Sequence, residues 1–424
     1  MRIMVVGGGG REHAIIKKLK ENKNITQIFV LPGNGGMEED CICVPIGAKE
    51  LCKIVEFAKE NKIDYAVVAP DDPLVLGLCD MLREAGIDCF GPSKRAAIIE
   101  GSKVFSKNLM KKYGIPTASY EVFNDAGAAL SYIASAPMPQ VIKADGLALG
   151  KGVIIAKTRK EAETAVFEIM ENKKFGDSGN SIVIEEYLEG PEVSVLAFTD
   201  GNAIVPMVSS MDHKRAKDND MGLNTGGMGT VAPNPYFTEE IAKECMDKIF
   251  IPTVTAMNNE GRRFEGCLYF GLMLTKNGPK VIEYNCRFGD PETQVVLPLL
   301  ESDLYTVMRA VSDGRLKDCE VKFSDKSACC VVVASKGYPE NYEKGYEITI
   351  DNKVKDFVYF AGAGIKDNKL VTDGGRVLGV TAVEDNLEYA IKSAYEKVSK
   401  ISFANMYYRH DIGAKALLAV KEEK

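Results

Sequence analysis

The first hundred residues constrain the fold most, because short apolar runs alternate there with amphipathic stretches. Ile3-Met4-Val5-Val6 reads as a buried strand. Four glycines follow at positions 7–10, and a helix starts at about Arg11 with Ala14, Ile15 and Leu19 on one face. Gln27 to Leu31 gives a second strand, ending in the turn Pro32-Gly33-Asn34-Gly35-Gly36. A helix with Leu51, Ile54, Val55 and Ala58 inward leads to a strand at 65–69. A helix near 79–84 and a strand at 87–90 close the series. This alternation implies a parallel, doubly wound sheet.

From Ser102 the texture changes. A helix carrying Val104, Phe105, Leu109 and Met110 precedes a strand near Tyr120 and a helix at 126–133. The strands at 141–143 and 153–155 flank a glycine loop. Thr158 and Glu161 form a capping box for a helix running to Asn172. Strands follow at 182–186 and 192–198. Residues 209–236 are expected to be a long polar loop, and long loops in compact domains are often functional. A helix near 239–258 precedes a hairpin at about 266–285. From about Ser327 a last stretch of short strands and one helix, 387–399, is expected to form a small third domain.

Hydrophobic residues make up 46% and charged residues 27% of the chain, which excludes a disordered protein. The net charge of −7 leaves no global basic field, so general nucleic-acid binding is excluded while small anionic ligands are not. The 11 cysteines are scattered, with Cys41/Cys43 and Cys329/Cys330 the only close pairs, and neither has zinc or redox-motif spacing. Reduced thiols and a cytoplasmic location are expected. The three histidines show no metal-ligand spacing. No apolar run approaches the ~18 residues of a membrane span, and the opening apolar stretch is too short for a signal peptide.

Three segments carry the chemistry. Gly7-Gly8-Gly9-Gly10-Arg11 lies between a strand and a helix, where backbone N–H groups favour an anion. A dinucleotide fingerprint fails there, since Glu12 or His13 stands where its last glycine belongs and no acidic residue follows the second strand. Asp145-Gly146-Leu147-Ala148-Leu149-Gly150-Lys151-Gly152 fails the Walker A spacing and lacks its hydroxyl residue. It reads as a glycine hairpin able to close over a triphosphate, with Lys151 and Lys143 aimed at the phosphates. In Val281-Ile282-Glu283-Tyr284-Asn285, residues i and i+2 of a strand share a face. Glu283 and Asn285 then present two oxygens suited to Mg²⁺. Taken singly, each segment also fits an ordinary turn, a mobile hairpin or an exposed strand face.

Together, in order, they resemble the phosphoribosylamine–glycine ligases of the ATP-grasp superfamily. The resemblance rests on GGGGREHA at 7–14, GPSKRAA at 91–97, EGSK at 100–103, GIPTA at 114–118 and KADGLALGKGV at 143–153. It continues through EEYLEGPEVS at 185–194, DHKRAKD at 212–218, NTGGMG at 224–229, EYNCRFGDPETQ at 283–294, SKGYP at 335–339 and RHDIG at 409–413.

The resemblance implies an α/β chain with an N-terminal doubly wound parallel-sheet domain at 1–101. A central ATP-grasp domain at 102–325 would carry a mobile lid subdomain at about 121–186, and a small C-terminal α+β domain would span 326–424. ATP and a divalent cation, Mg²⁺ or Mn²⁺, are implied, with glycine and 5-phospho-β-D-ribosylamine as substrates. Adenine would meet Glu185, Glu186, Tyr187 and Leu188, and the ribose hydroxyls Glu192. Lys103, Lys143, Gly146, Gly150 and Lys151 would meet the phosphates, and Glu283 and Asn285 the metal. Gly9, Gly10 and Arg11 would hold the ribosyl phosphate. Asp212, His213, Lys214, Arg215, Gly226, Gly227 and Arg287 would surround the reacting groups, and Asp71 would contact substrate. Arg287, Asp212, Lys214 and Lys151 are the expected catalytic residues, with His213 the rival of Asp212 as proton acceptor.

Two positions depart from the family pattern. Asp71 stands where relatives usually have glutamate, and the strand near 268–274 lacks a further acidic metal ligand. Hand-over of the amine from the amidophosphoribosyltransferase that makes it is a further expectation. The rival readings are another ATP-grasp ligase, a nicotinamide-dependent oxidoreductase, and a non-catalytic nucleotide-binding module.

Overall fold

In the computed structural model, which describes residues 1–148 and 152–422, the opening alternation forms a five-stranded sheet. Strands β1 (Arg2–Gly7), β2 (Gln27–Pro32), β3 (Ile42–Cys43), β4 (Tyr65–Val68) and β5 (Cys89–Phe90) lie in the order β3-β2-β1-β4-β5, every pair parallel. Central β1 is buried on both faces, as parallel sheets require. Met4 and Val6 enter one hydrophobic cluster, Ile3 and Val5 another. The connecting helices are α1 (Gly10–Leu19), α2 (Leu51–Glu60), α3 (Asp71–Leu76), α4 (Leu78–Glu84) and α5 (Lys94–Gly101). Strand order reverses between β1 and β4, so the loops leaving these two strands flank the crevice where open α/β sheets bind ligands.

After α6 (Lys103–Tyr113), strands β6 (Tyr120–Phe123), β7 (Gln140–Ala144), β8 (Val153–Ala156) and β9 (Ile182–Glu186) form an antiparallel sheet in the order β6-β9-β7-β8. Helices α7 (Ala126–Ser135) and α8 (Arg159–Val166) pack on it. Ala129, Ile133, Ile142, Ala162, Val166 and Ile184 belong to a hydrophobic cluster separate from the rest. The capping box holds as read: Thr158 Oγ1 accepts the Glu161 N–H at 3.2 Å, and the Glu161 carboxylate accepts the Thr158 N–H.

The stretch 209–236 is not the long loop expected. Strands β10 (Glu192–Thr199) and β11 (Ile204–Pro206) precede it, and it contains β12 (Met211–Asp212), β13 (Arg215–Lys217), β14 (Met221–Asn224) and β15 (Gly229–Ala232). β13 and β14 pair as a hairpin, while β12 and β15 join strands from the end of the chain. Strand pairing here comes from distant partners, which glycines and charges in the local sequence conceal.

Helices α9 (Glu239–Cys245) and α10 (Ile251–Asn259) lead into β16 (Gly266–Thr275) and β17 (Gly278–Asn285). These strands complete the sheet β11-β10-β16-β17. Beyond α11 (Thr293–Leu299) and α12 (Leu304–Ser312) come β18 (Ser327–Ser335), β19 (Thr349–Ile350), β20 (Val358–Phe360), β21 (Ala363–Lys366), β22 (Lys369–Thr372) and β23 (Arg376–Glu384). Then follow α13 (Leu387–Val398), β24 (Ile401–Ser402), β25 (Met406–Tyr407) and α14 (Ala414–Glu422). The main sheet here runs β12-β15-β18-β23-β20, with β25 also paired to β18. β18 and β23, nine residues each, are longer than the short strands expected, and a second helix stands where one was expected. No described helix is long and apolar enough to cross a membrane.

Candidate active site

The first glycine loop leaves β1 at the strand-order reversal. A Cβ on Gly8 would lie 2.5 Å from the Gly33 carbonyl oxygen, so close backbone approach requires glycine there. Gly9 is the N-cap of α1, and its N–H donates to Glu12 Oε2 at 2.6 Å. The other Glu12 oxygen takes Arg11 Nε at 2.6 Å, and Arg11 Nη1 donates to the Phe288 carbonyl at 3.2 Å. An internal carboxylate thus uses one donor of the expected anion site, and the Arg11 fork faces inward. Asp71, at the start of α3, lies across the reversal. Burial opposes its ionisation, but Arg287 and Arg11 outweigh burial and hold the carboxyl below its ordinary range.

The strand β17 presents Glu283 and Asn285 opposite Gly271 and Tyr269 of β16, respectively. A Cβ on Gly271 would lie 3.1 Å from Glu283 Cγ and 3.5 Å from the Tyr269 ring, so these groups share one face. Arg287 Nη2 lies 3.4 Å from Asn285 Oδ1 and 3.1 Å from Glu100 Oε1. Glu100 also accepts the Cys286 N–H at 2.7 Å, which turns the chain as the strand ends. Burial opposes ionisation of Glu283, and Lys214, Lys143, Lys103 and Arg287 outweigh it. No described residue hydrogen-bonds the Glu283 carboxylate. A carboxylate and an amide oxygen on one face are hard donors that fit a divalent cation. β16 adds none, because Tyr269 and Gly271 stand opposite.

Lys103 and Lys143 approach the same face. Lys103 Nζ donates to the Gly146 carbonyl at 2.9 Å, and Lys143 Nζ to the Ile282 carbonyl at 2.9 Å. Asp145 anchors the glycine loop on the start of α6, accepting from Ser102 Oγ at 2.9 Å and the Val104 N–H at 2.8 Å. Gly150 and Lys151 lie outside the described residues. The Glu185 carboxylate is not turned to a ligand. It is buried between Lys107 and Lys143, at 2.8 and 3.0 Å. Glu186 pairs with Lys280 at 2.8 Å. Tyr187 and Leu188 lie past the end of the β9 ladders, and Glu192 is exposed at the start of β10.

Lys214 Nζ lies 3.1 Å from Asp212 Oδ2, while buried Asp212 Oδ1 has no hydrogen-bond partner among the described residues. Burial pushes the Asp212 carboxyl up against the pull of Lys214. Burial and the nearby Asp212 push Glu292 up as well. Glu292 Oε1 accepts from Tyr269 at 3.1 Å and from Ser194 at 3.3 Å. Desolvation works against the Lys214 charge, but Tyr269, Asp212, Glu283 and Glu292 hold its pKa well above the lysine range. Gly227, at φ +115°, lies against this group. A Cβ there would be 2.7 Å from Asp212 Oδ1 and 2.4 Å from Pro291 Cδ. Arg376 Nη1 donates to the Gly226 carbonyl at 2.7 Å, and its Nη2 pairs with Asp290 at 2.9 Å.

His213 corrects the sequence reading. Gly413 N–H donates to its Nε2 at 3.1 Å, so the ring proton sits on Nδ1 facing the Gly229 carbonyl, also at 3.1 Å. Both ring nitrogens have backbone partners and the residue is buried, so the ring offers no atom to a substrate. Arg215 likewise turns away and donates to the Gly222 carbonyl.

Sequence reasoning assigned no role to Glu100, Lys107, Asp290, Glu292 or Arg376. Glu100, Asp290 and Glu292 lie inside quoted motifs, so a signal existed. Arg376 opens an apolar strand with no local motif.

Residues 1–100, 101–293 and 328–415 match the N, ATP-grasp (A) and C domains of phosphoribosylglycinamide synthetase. The chain belongs to this family. It is 48% identical over 415 residues to a phosphoribosylamine–glycine ligase of Caldanaerobacter subterraneus subsp. tengcongensis, covering 98% of this chain and all of the relative. The human trifunctional purine biosynthetic protein adenosine-3 is 45% identical over 430 residues, and the chain spans 43% of its length. The crystal structure of phosphoribosylamine–glycine ligase from Thermotoga maritima superposes with a TM-score of 0.85 at 35% identity, covering 97% of this chain and 100% of that one. A Hydrogenobacter thermophilus biotin carboxylase domain, at 16% identity and a TM-score of 0.71, covering 96% of this chain and 91% of that one, shares the fold.

Proposed function

We propose that the chain joins glycine to 5-phospho-β-D-ribosylamine, using ATP and releasing ADP and phosphate, through a glycyl phosphate intermediate. Besides membership of this ligase family, one observation carries the reading. A carboxylate with no hydrogen-bond donor among the described residues, Glu283, is ringed by Lys103, Lys143, Lys214 and Arg287 where the sheets meet.

A carboxylate is a poor acyl electrophile, being anionic and without a leaving group. Phosphoryl transfer to glycine supplies one; the amine then attacks the acyl carbon, phosphate leaves and the amine loses a proton. Charge on the transferring phosphoryl group is the main obstacle, and preorganised cations lower it. Lys103 and Lys143 serve that role here, with Lys151 and Gly150 of the glycine loop and Gly146 beside Lys103. Glu283 and Asn285 would hold Mg²⁺ or Mn²⁺, which when bound neutralises phosphate charge.

Adenine lies against 185–188, where the backbone of Tyr187 and Leu188 continues past the ladders, and Glu192 takes the ribose. Arg287 orients the glycine carboxylate. Asp212, its carboxyl raised by burial and one oxygen unpartnered, takes the amine proton beside Lys214. Gly9 and Gly10 border the ribosyl phosphate, with Arg11 behind them, Gly226 and Gly227 lie beside the reacting groups, and Asp71 contacts the ribosylamine. The units at 1–101, 102–325 and 326–424 form the site between them. The subdomain at about 121–186 acts as a lid excluding water from the acyl phosphate, supported by its separate hydrophobic cluster. Phosphoribosylamine hydrolyses readily, which favours hand-over from the amidophosphoribosyltransferase that forms it.

The test is ADP release with and without glycine, the ribosylamine being generated in situ. Release that requires both substrates is expected. Release indifferent to glycine, or requiring another carboxylate, refutes the assignment.

A further inference from the structure

Lys214 is held from both sides by one distant segment. Arg409 is 1% exposed, and its Nε and Nη2 each lie 2.7 Å from an Asp411 oxygen. Its Nη1 donates to Asp220 Oδ1 at 2.9 Å and to the carbonyl of Arg215, the residue after Lys214, at 3.0 Å. Gly413 N–H donates to the ring of His213, the residue before Lys214. Further ties run the same way. Tyr407 donates to the Ala216 carbonyl at 2.7 Å, the His410 N–H donates to Asp218 at 2.8 Å, and Asp411 accepts the Asn219 N–H at 2.8 Å. Gly413 sits at φ +80°, and a Cβ there would be 2.4 Å from Ile391 Cδ1, so glycine suits this close approach.

We propose that the segment Arg409–Gly413 is a positioning device for the reaction, with Arg409 on the Arg215 carbonyl and the Gly413 N–H on the His213 ring holding the residues on either side of Lys214. The inference rests on the reading of Lys214 and Asp212 as reaction residues. Stability alone does not call for this arrangement, because replacing a buried ion cluster by apolar groups is often neutral or favourable. A planar fork supplies direction: it meets a carboxylate through two N–H groups while a third N–H reaches the Arg215 carbonyl, which a lysine ammonium cannot reproduce. The hairpin β13–β14 is short and its Met221 and Leu223 are exposed, so it has little core of its own to fix its base.

The test compares Arg409→Lys, Asp220→Asn and Lys415→Met in the full chain. Lys415 pairs with Asp220 but does not touch Arg409, so it is the control. Misplacement of a catalytic group by about 1 Å costs ~10²-fold, so Arg409→Lys is expected to lower kcat about 10–100-fold and Asp220→Asn about tenfold. The KM for ATP stays within about twofold, because uniform nucleotide binding is made on a different sheet. Lys415→Met keeps the wild-type kcat. Circular dichroism establishes that the variants are folded.

A folded Arg409→Lys with wild-type kcat overturns the proposal. So does a loss of kcat matched by an equal loss of nucleotide affinity. Should Arg409→Lys fail to fold, Asp220→Asn decides: its side chain is partly exposed and the substitution isosteric, and an unchanged kcat overturns the proposal. A wild-type chain without glycine-dependent ADP release removes the functional reading and this inference together. An active wild type beside an active Arg409→Lys removes the inference alone.

Discussion

His213 should make the fold sensitive to mild acid without being part of the chemistry. Burial is the largest effect on its ring, Arg409 adds to it, and together they push its pKa down to about 4 from 6.5. Protonation would place an N–H at Nε2 against the Gly413 N–H, which can only donate. In the unfolded chain the ring protonates near 6.5, so between pH 6.5 and 4 the unfolded state binds more protons. Stability is therefore full above pH 6.5, falls as pH drops through this window, and loses nothing more from this group below about 4. The lost stability is on the order of 3 kcal/mol.

His13 is also buried with its pKa lowered, so the wild-type slope has two sources. His213→Gln separates them, because an amide oxygen can replace Nε2 as acceptor and glutamine does not titrate. Urea midpoints from pH 7.5 to 4 should converge, the wild type losing its advantage towards pH 4. With three histidines in the chain, imidazole NMR reads the same quantity directly. Parallel pH slopes in wild type and His213→Gln, or a His213 resonance titrating near 6.5, would refute the reasoning.

Arg287→Ala should raise the KM for glycine and lower kcat together. A charged hydrogen bond worth about 1.5–3 kcal/mol corresponds to roughly 10–100-fold in kcat/KM. An unchanged glycine KM removes the assignment. Lys107→Met should lower the unfolding free energy, read from the denaturation midpoint, by about 3 kcal/mol, the low end for breaking a buried pair, because Lys143 stays beside Glu185. Lys107 is itself held down to about 8 by burial, and a variant as stable as wild type would show that its pairing with Glu185 contributes little.

The N-terminal sheet was legible because each of its strands carries its own evidence: a parallel strand buried on both faces is a continuous apolar run, as Ile3 to Val6 is. Glu283 and Asn285 were legible because a period of two fixes their shared face. β12 and β15 were not, since β12 pairs with β15 and the other partner of β15, β18, comes about a hundred residues later. His213 was misjudged because spacing gives the residue and not its neighbours; only the fold brings Gly413 to its ring. Arg376 opens a strand with no local motif, and Arg409, although inside the quoted motif at 409–413, meets its partners only in the fold. Each acts on backbone carbonyls, and a carbonyl leaves no trace in sequence.

The partners of the buried cations divide them into two kinds. Arg409 and Lys107 are closed on carboxylates, so a ligand anion reaching either would have to displace an internal one. Lys103 differs: its hydrogen bond goes to a neutral carbonyl, that of Gly146, and burial pulls its pKa down against the attraction of Glu283. A buried ammonium resting on a neutral oxygen is under-compensated, and a charge-assisted bond is roughly twice as strong as a neutral one. A phosphate oxygen is therefore a better partner for Lys103 than the one it has. That carbonyl belongs to the glycine loop, so on the proposed reading exchanging it for phosphate would release the Gly146 carbonyl while Asp145 still ties the loop to α6.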